Sequence, residues 1–208
     1  MASTVELRAF GIISRMQPRY AAYEATVADG DIQLAGMAQL FAEMSPGNEV
    51  YRLVDAALKA TPVRPGSQVV EREYGFLELH AEDPAAVTEA AQLILDQVGV
   101  QEQGRLRPRI VNQEVITNIT PYQAQLINRA RRGSLVIPGQ TLLVLETSPA
   151  SYVMVAANEA EAGSDIDIVD VKPIGRFGRL LLAGYESNVR EGADAARRAL
   201  EALEGRDP

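Results

Sequence analysis

The residues of this chain with side chains suited to chemistry are few, and most of them fall in loops. Glu71-Arg72-Glu73-Tyr74-Gly75 places two carboxylates, a guanidinium and a phenol in succession, and Pro173-Ile174-Gly175-Arg176-Phe177-Gly178 places a guanidinium beside an aromatic ring. Adjacent loop residues alternate in direction, so a peptide or rotamer change exchanges which charge is presented. On a solitary surface loop such charges are simply solvated, at ~0–1 kcal/mol per exposed pair. Asn128-Arg129-Ala130-Arg131-Arg132-Gly133 is a basic run open to an anion, although arginines at a helix C-terminus are favoured by the dipole without any ligand. Lys59 reads equally well as a helix-end cation. His80, expected at the surface or half-buried beside Glu82 and Asp83, has no nucleophile pattern to serve as a base. Gly175-Arg176-Phe177-Gly178 and Pro138-Gly139 lack the residue order of a phosphate loop.

Composition narrows the field further. A net charge of -8 opposes a general nucleic-acid surface, because phosphate binding needs a basic face, so any anion site must be local. With no cysteine and one histidine, neither a disulfide framework nor a thiolate or histidine-cluster metal site is available. Met1 to Leu7 lacks the basic and apolar segments of a secretory signal, and no apolar run approaches the ~20 residues of a membrane span, so a cytoplasmic protein without membrane contact is expected. Without a secretory route, Asn118-Ile119-Thr120 is a chance glycosylation sequon.

The elements that must position these loops come in duplicate. Shifted by 103 residues, the sequence matches itself without gaps from about Leu7 to Ala81: Pro18 falls on Pro121, Gly30 on Gly133, Gly36 on Gly139, Glu43 on Glu146, Ser45-Pro46 on Ser148-Pro149 and Gly75 on Gly178. Gly and Pro fix backbone geometry, so their coincidence predicts a shared trace. Each copy is expected to run strand (Arg8 to Ser14; Arg109 to Ile116), helix from Pro18 or Pro121 to Gly30 or Gly133, strand (Ala38 to Met44; Thr141 to Thr147) and a helix opened by Ser-Pro. Two strands around the charged loop follow, Val69-Val70 with Phe76 to Leu79 and Ile166 to Val171 with Leu180 to Ala183, and then a closing helix. The class is α+β. Residues 99 to 108 are read as a polar linker between units 1–103 and 104–208, and Glu204 to Pro208 as a frayed tail.

The stretch Ile166-Asp167-Ile168-Val169-Asp170-Val171-Lys172-Pro173-Ile174-Gly175, followed by Gly178-Arg179-Leu180-Leu181-Leu182, resembles the bacterial microcompartment domain, in which a "VDVKxIG" strand leads into a pore loop. Gln68-Val69-Val70-Glu71-Arg72 carries the same frame in the first copy, and Val144-Leu145-Glu146-Thr147 is similar to the family's "xIET" strand. A strand and helix precede that strand here where the standard domain has them last, which is a circular permutation. With Leu126-Ile127-Asn128-Arg129, the order is similar to the tandem trimeric shell proteins first associated with carboxysomes.

The resemblance implies two tandem circularly permuted domains of ferredoxin-like α/β sandwich form. It implies a homotrimer acting as a pseudohexameric tile among hexameric and pentameric shell proteins, with trimers that can stack face to face. Neither an enzyme nor a cofactor is implied. Glu71, Arg72, Glu73, Tyr74, Gly175, Arg176 and Phe177 would form a central pore for small anionic metabolites, with Glu71 and Arg72 as gate. Like charges crowded at a threefold centre repel, whereas Glu-Arg pairs from neighbouring chains close it with charge-assisted hydrogen bonds. Lys59 would lie at the tile edge, where the second copy has Ala162, and Asn128, Arg129, Arg131 and Arg132 would meet an anion or a stacked ring. A soluble oligomeric regulatory protein that binds small anions is the alternative.

Overall fold

The computed structural model describes residues 5–207; Met1 to Thr4 and Pro208, parts of the two ends read above, lie outside the described residues. The first half runs β1 (Glu6–Ile13), α1 (Pro18–Val27), β2 (Ala38–Ser45), α2 (Glu49–Ala60), β3 (Arg64–Glu71), β4 (Tyr74–Ala81) and α3 (Pro84–Val98). The second repeats it as β5 (Arg109–Ile116), α4 (Pro121–Ala130), β6 (Thr141–Ser148), α5 (Val153–Gly163), β7 (Asp167–Lys172), β8 (Gly178–Gly184) and α6 (Glu186–Glu201). The two antiparallel sheets share one strand order, β1-β2-β4-β3 and β5-β6-β8-β7. A ferredoxin-like sheet takes this order when its last strand is moved to the front, so the architecture has the α+β class read from the repeat and the permuted sandwich form that the resemblance implies.

Local chemistry sets the element ends. Prolines open α1, α3 and α4, where a missing N–H costs nothing; Asp83 and Thr120 cap the latter two, and left-handed Gly99 closes α3. Alternation then fixes the layers. Leu40, Ala42, Met44, Leu77 and Leu79 point from the first sheet into Val50, Leu53, Val87 and Ile94 of α2 and α3. Leu143, Leu145, Leu180 and Leu182 meet Val153, Ala157, Val189 and Ala196 of α5 and α6 in the same way.

Helix α1 lies across the seam between halves. Its first-turn amides at Arg19 and Tyr20 donate to Glu161 of α5 at 2.8 and 2.7 Å, a carboxylate supplied to a helix N-terminus by the other copy. The Tyr23 hydroxyl is 3.0 Å from Asp170 Oδ1 and donates to the Val171 carbonyl at 2.9 Å. Met16, Tyr20 and Phe41 join the second half's core, with Phe41 edge-on to Tyr152 at 6.2 Å.

Several expectations are corrected. β3 begins at Arg64, not Val69, because an edge strand tolerates Pro65, which needs no ladder donor there. The first helices stop at Val27 and Ala130, short of the glycines, and Ser-Pro does not itself open the following helices: α2 starts at Glu49, and a 3-10 turn, Ala150–Tyr152, precedes α5. His80 is fully buried. The linker and tail tie each other down: Arg105, buried, donates to the carbonyls of Phe10 and Glu204, and Arg206 donates to that of Gly104.

Gly75 and Gly178 stand where each loop returns to its sheet. A Cβ at Gly75 would lie 2.1 Å from the Gly47 carbonyl, and one at Gly178 1.9 Å from that of Ala150. Gly75→Ala and Gly178→Ala should each lower stability in chemical denaturation by about 1–3 kcal/mol, the usual cost of overpacking; an unchanged midpoint would show that these backbones can part freely.

Candidate pore hairpins

The first charged loop is a tight hairpin: Glu71 pairs with Tyr74, leaving Arg72 and Glu73 as its two-residue turn. The repeat aligns Arg72 with Gly175, and both lie in the left-handed region, at φ 55° and 108°. Glycine is free there, whereas a side chain costs about 1–2 kcal/mol. The first copy therefore holds an arginine against a backbone preference that the second copy satisfies.

The two tips meet. Glu71, Arg72, Glu73, Tyr74, Gly175 and Arg176 line one cavity of about 350 Å³, and a Cβ on Gly175 would sit 3.7 Å from a Glu71 carboxylate oxygen. Phe177, the remaining candidate, does not line this cavity; its ring lies 5.5 Å from the Arg176 guanidinium carbon. Among the described residues, no intrachain ion pair engages Glu71, Arg72, Glu73 or Arg176, so two acids and two guanidiniums share one opening without an opposite charge bound to any of them.

Behind the first tip runs a chain of contacts that sequence spacing did not reveal. The Arg8 guanidinium lies 3.9 Å from the Tyr74 ring centroid and donates to Glu43 at 2.9 Å. The buried Glu43 carboxylate also accepts from the Ser151 amide and hydroxyl, at 3.0 and 2.8 Å. The hairpin is thereby coupled to the start of the second copy's helical segment. The match of Glu43 with Glu146 was the available signal, but partners 35 and 108 residues away carry no periodicity.

The remaining candidates scatter. Lys59 is exposed on the last turn of α2 and pairs with Asp55 at 2.7 Å. Asn128 forms a backbone clamp, with both amide heteroatoms bonded to Val136, at 2.8 and 2.9 Å, which ties the end of α4 to the following loop. Arg129 and Arg132 are exposed, whereas the Nε of Arg131 is buried and unbonded. Among the described residues there is no group of three or more His, Cys, Asp or Glu that could hold a metal ion, and no helix is long and apolar enough to cross a membrane. Arg72→Gly should raise stability by about 0.5–1 kcal/mol, the left-handed strain relieved less the entropy glycine adds to the unfolded chain; a loss of stability in thermal melts would place the strain elsewhere.

The CsoS1D N-terminal domain model matches residues 7–104. The carboxysome shell protein CcmP of Synechococcus elongatus is 48% identical over 98% of this chain and 95% of its own length. The carboxysome shell protein CsoS1D of Hydrogenovibrio crunogenus is 42% identical over 96% and 98%. Among known structures, the fused permuted hexameric shell protein MSM0275 of the RMM microcompartment is 44% identical with a TM-score of 0.93, covering 97% of this chain and 100% of its own. The double ringed trimeric shell protein MSM0271 of the same compartment is 37% identical with a TM-score of 0.94, over 98% and 100%. The duplicated, permuted sandwich and the paired hairpins thus have close counterparts along their full length, and the chain belongs to the tandem, circularly permuted shell proteins of bacterial microcompartments, the family of CcmP and CsoS1D.

Proposed function

We propose that three copies of this chain close into a ring of six units, 1–103 alternating with 104–208, around a charged and gated central pore. Family membership makes the chain a structural shell protein and not an enzyme. The observation that carries the pore is the meeting of both hairpin tips in one mouth lined by charges of both signs.

The one-sided seam supports the ring. Ile13 and Tyr23 are buried in the seam, whereas their counterparts Ile116 and Leu126 are exposed, as is Tyr122, the counterpart of Arg19, at 74%. On the other side of the repeat, Glu161 of the seam corresponds to Leu58, also exposed. A neighbouring chain's α2 and β3 placed on α4, as α5 and β7 lie on α1, brings Tyr122 and Leu126 onto Leu58 and its surroundings. Such head-to-tail contacts generate either a closed ring or an open filament, and the trimeric and hexameric relatives favour the ring. The double ringed relative likewise favours stacking of two such rings.

In the closed state, Glu71 and Arg72 of adjacent chains pair across the axis. Rotating them apart leaves Arg72 and Arg176 facing the opening, a local cationic constriction in an acidic protein that suits phosphorylated or carboxylated metabolites. The tile takes its place in the shell of a cytoplasmic microcompartment beside hexameric and pentameric shell proteins, with Lys59 at its edge.

Leu126→Asp should convert the trimer to monomer in light scattering at micromolar concentration, because a carboxylate would be buried unpaired in the contact; a persisting trimer rejects this geometry. Glu71→Ala combined with Arg72→Ala should preserve assembly and hold the opening wide in an electron cryomicroscopy reconstruction. An opening that still shuts removes both residues from the gate.

A further inference from the structure

The face of the first sheet opposite α2 and α3 holds a buried polar cluster that the shell role does not use. Gln39 of β2 and Glu78 and His80 of β4 are fully buried, and Gln33, Tyr20 and Glu24 close over them. Glu78 accepts from the Gln33 side chain at 2.7 Å, the Gln39 side chain at 3.1 Å and the Gly66 amide of β3 at 3.0 Å. His80 Nδ1 lies 3.1 Å from Glu78, and its Nε2 lies 3.3 Å from Asp31, which is itself 3.3 Å from Arg64. Tyr20 donates to Gln39 at 2.7 Å, and the Glu24 carboxylate is 3.5 Å from the Gln39 amide nitrogen. A Cβ at Gly66 would fall 2.0 Å from Gln33 Nε2 and 2.2 Å from Glu78 Oε2, so a side chain there would displace both from the cluster.

The second copy makes the same contact out of hydrocarbon. Glu24, Gln33, Gln39, Glu78 and His80 correspond to Ile127, Val136, Leu142, Leu181 and Ala183, all of which lie in or against one apolar cluster. The backbone bonds it covers are the same. Gly30 N donates to the Gly66 carbonyl and Gly133 N to that of Val169, each at 2.9 Å. The trace does not require polarity here, so the first copy's cluster adds a property the second lacks.

We propose that this cluster is a proton-operated clasp: imidazolium His80, donating from both ring nitrogens to Glu78 and Asp31, binds the α1–β2 connection to β4 and, through Glu78 and Gly66, to β3, and loss of its protons loosens those segments in the first copy alone. A neutral imidazole has a single N–H and would turn a lone pair toward one of the carboxylates. The groups facing His80 and Glu78 are Glu24 and Tyr20 from α1, Asp31 from the connection and, through Asp31, Arg64 from β3.

Burial alone would lower the His80 pKa, but the bonds and charges of Glu78 and then Asp31 outweigh it and leave the pKa raised. Burial, with the Glu78 charge, pushes Glu24 up to about 8. Both groups hold protons more tightly folded than unfolded, so both contributions shrink as pH rises, that of Glu24 from its ordinary range to about 8 and that of His80 from ~6.5 upward. Asp31, held below its usual range by Arg64 and then His80, changes only in acid and leaves this window flat. If the pore reading of the previous section holds, β3 carries this sensitivity to Glu71, so the hairpin of the first copy responds to pH and that of the second does not.

His80 is the only histidine in the chain, so an NMR titration of the full-length protein labelled at histidine reads the clasp directly. A midpoint above ~6.5 is expected; a midpoint at or below that value overturns the proposal. Hydrogen exchange of residues 28–36 and β3, divided by that of residues 131–139 and β7 to cancel intrinsic pH effects, should rise severalfold between pH 6 and 9. A constant ratio overturns it equally. The combination E24I, Q33V, Q39L, E78L and H80A should flatten the ratio. Should that repacked chain fail to fold, H80N alone should remove the histidine part of the slope, and a slope unchanged in H80N assigns the effect elsewhere. None of these readouts depends on passage through the ring, so the clasp and the pore fail separately.

Discussion

Helix α1 has a face that only a second copy of the fold can cover. The Arg19 and Tyr20 amides and the Tyr23 hydroxyl find their partners on α5 and β7 of the other half, and without them two first-turn amides and one phenol would lose bonds. A duplicated backbone duplicates this requirement. Helix α4 turns the corresponding face outward with nothing among the described residues of its own chain to meet it, so Tyr122 and Leu126 stay exposed, as does Ile116 at the end of β5. A monomer is therefore satisfied at one end and unsatisfied at the other, which is the condition for head-to-tail closure. The meeting of the hairpins follows from the same seam, because the contact that covers α1 also carries the Arg176 tip against Glu71.

The two copies share a trace and diverge in chemistry, and the divergence is informative where backbone demand is equal. At the hairpin turn both need positive φ; the second meets this with Gly175, while the first keeps Arg72 and accepts strain. At the seam the internal contact is rich in charge and hydroxyls, and the positions left for a neighbour are apolar. That distribution fits the order of formation: an intrachain contact forms at high effective concentration, whereas a contact between separate chains must also offset lost translational freedom, which burial of hydrocarbon does best.

The duplication was legible because turns are local. Gly30, Gly36, Gly75 and the Ser-Pro pairs impose backbone geometry wherever they occur, so their recurrence at one spacing exposed the repeat and with it the succession of elements in each copy. The charged tips were legible for the same reason, each being a short break between apolar strands. Arg105 shows what was not. Read as part of a polar linker, it is a buried guanidinium joined to Phe10 and Glu204, partners 95 and 99 residues away that no window along the chain can pair. His80 misled for a related reason. The acidic residues after it imply solvent, but alternation along β4 turns it inward beneath α1, and only the assembled sheet brings Glu78 and Asp31 to its two nitrogens.

Burial energetics bear on why such a cluster persists. Replacing buried ionic groups with well-packed hydrocarbon is often neutral or stabilising, and the second copy demonstrates that this fold accepts the replacement, with Leu142, Leu181 and Ala183 at the matching positions. Stability alone therefore gives no reason for Gln39, Glu78 and His80. Directionality does. Hydrocarbon tolerates small slips between α1, its connection and β3, whereas carboxylates bonded at fixed angles to Gly66, Gln33 and His80 permit one register. The strand so fixed is β3, and its far end is Glu71. A charged tip that must meet its counterpart across an axis needs its supporting strand fixed in register more than it needs the last increment of stability, and the tip of the first copy bears both the strained arginine and the adjacent acids.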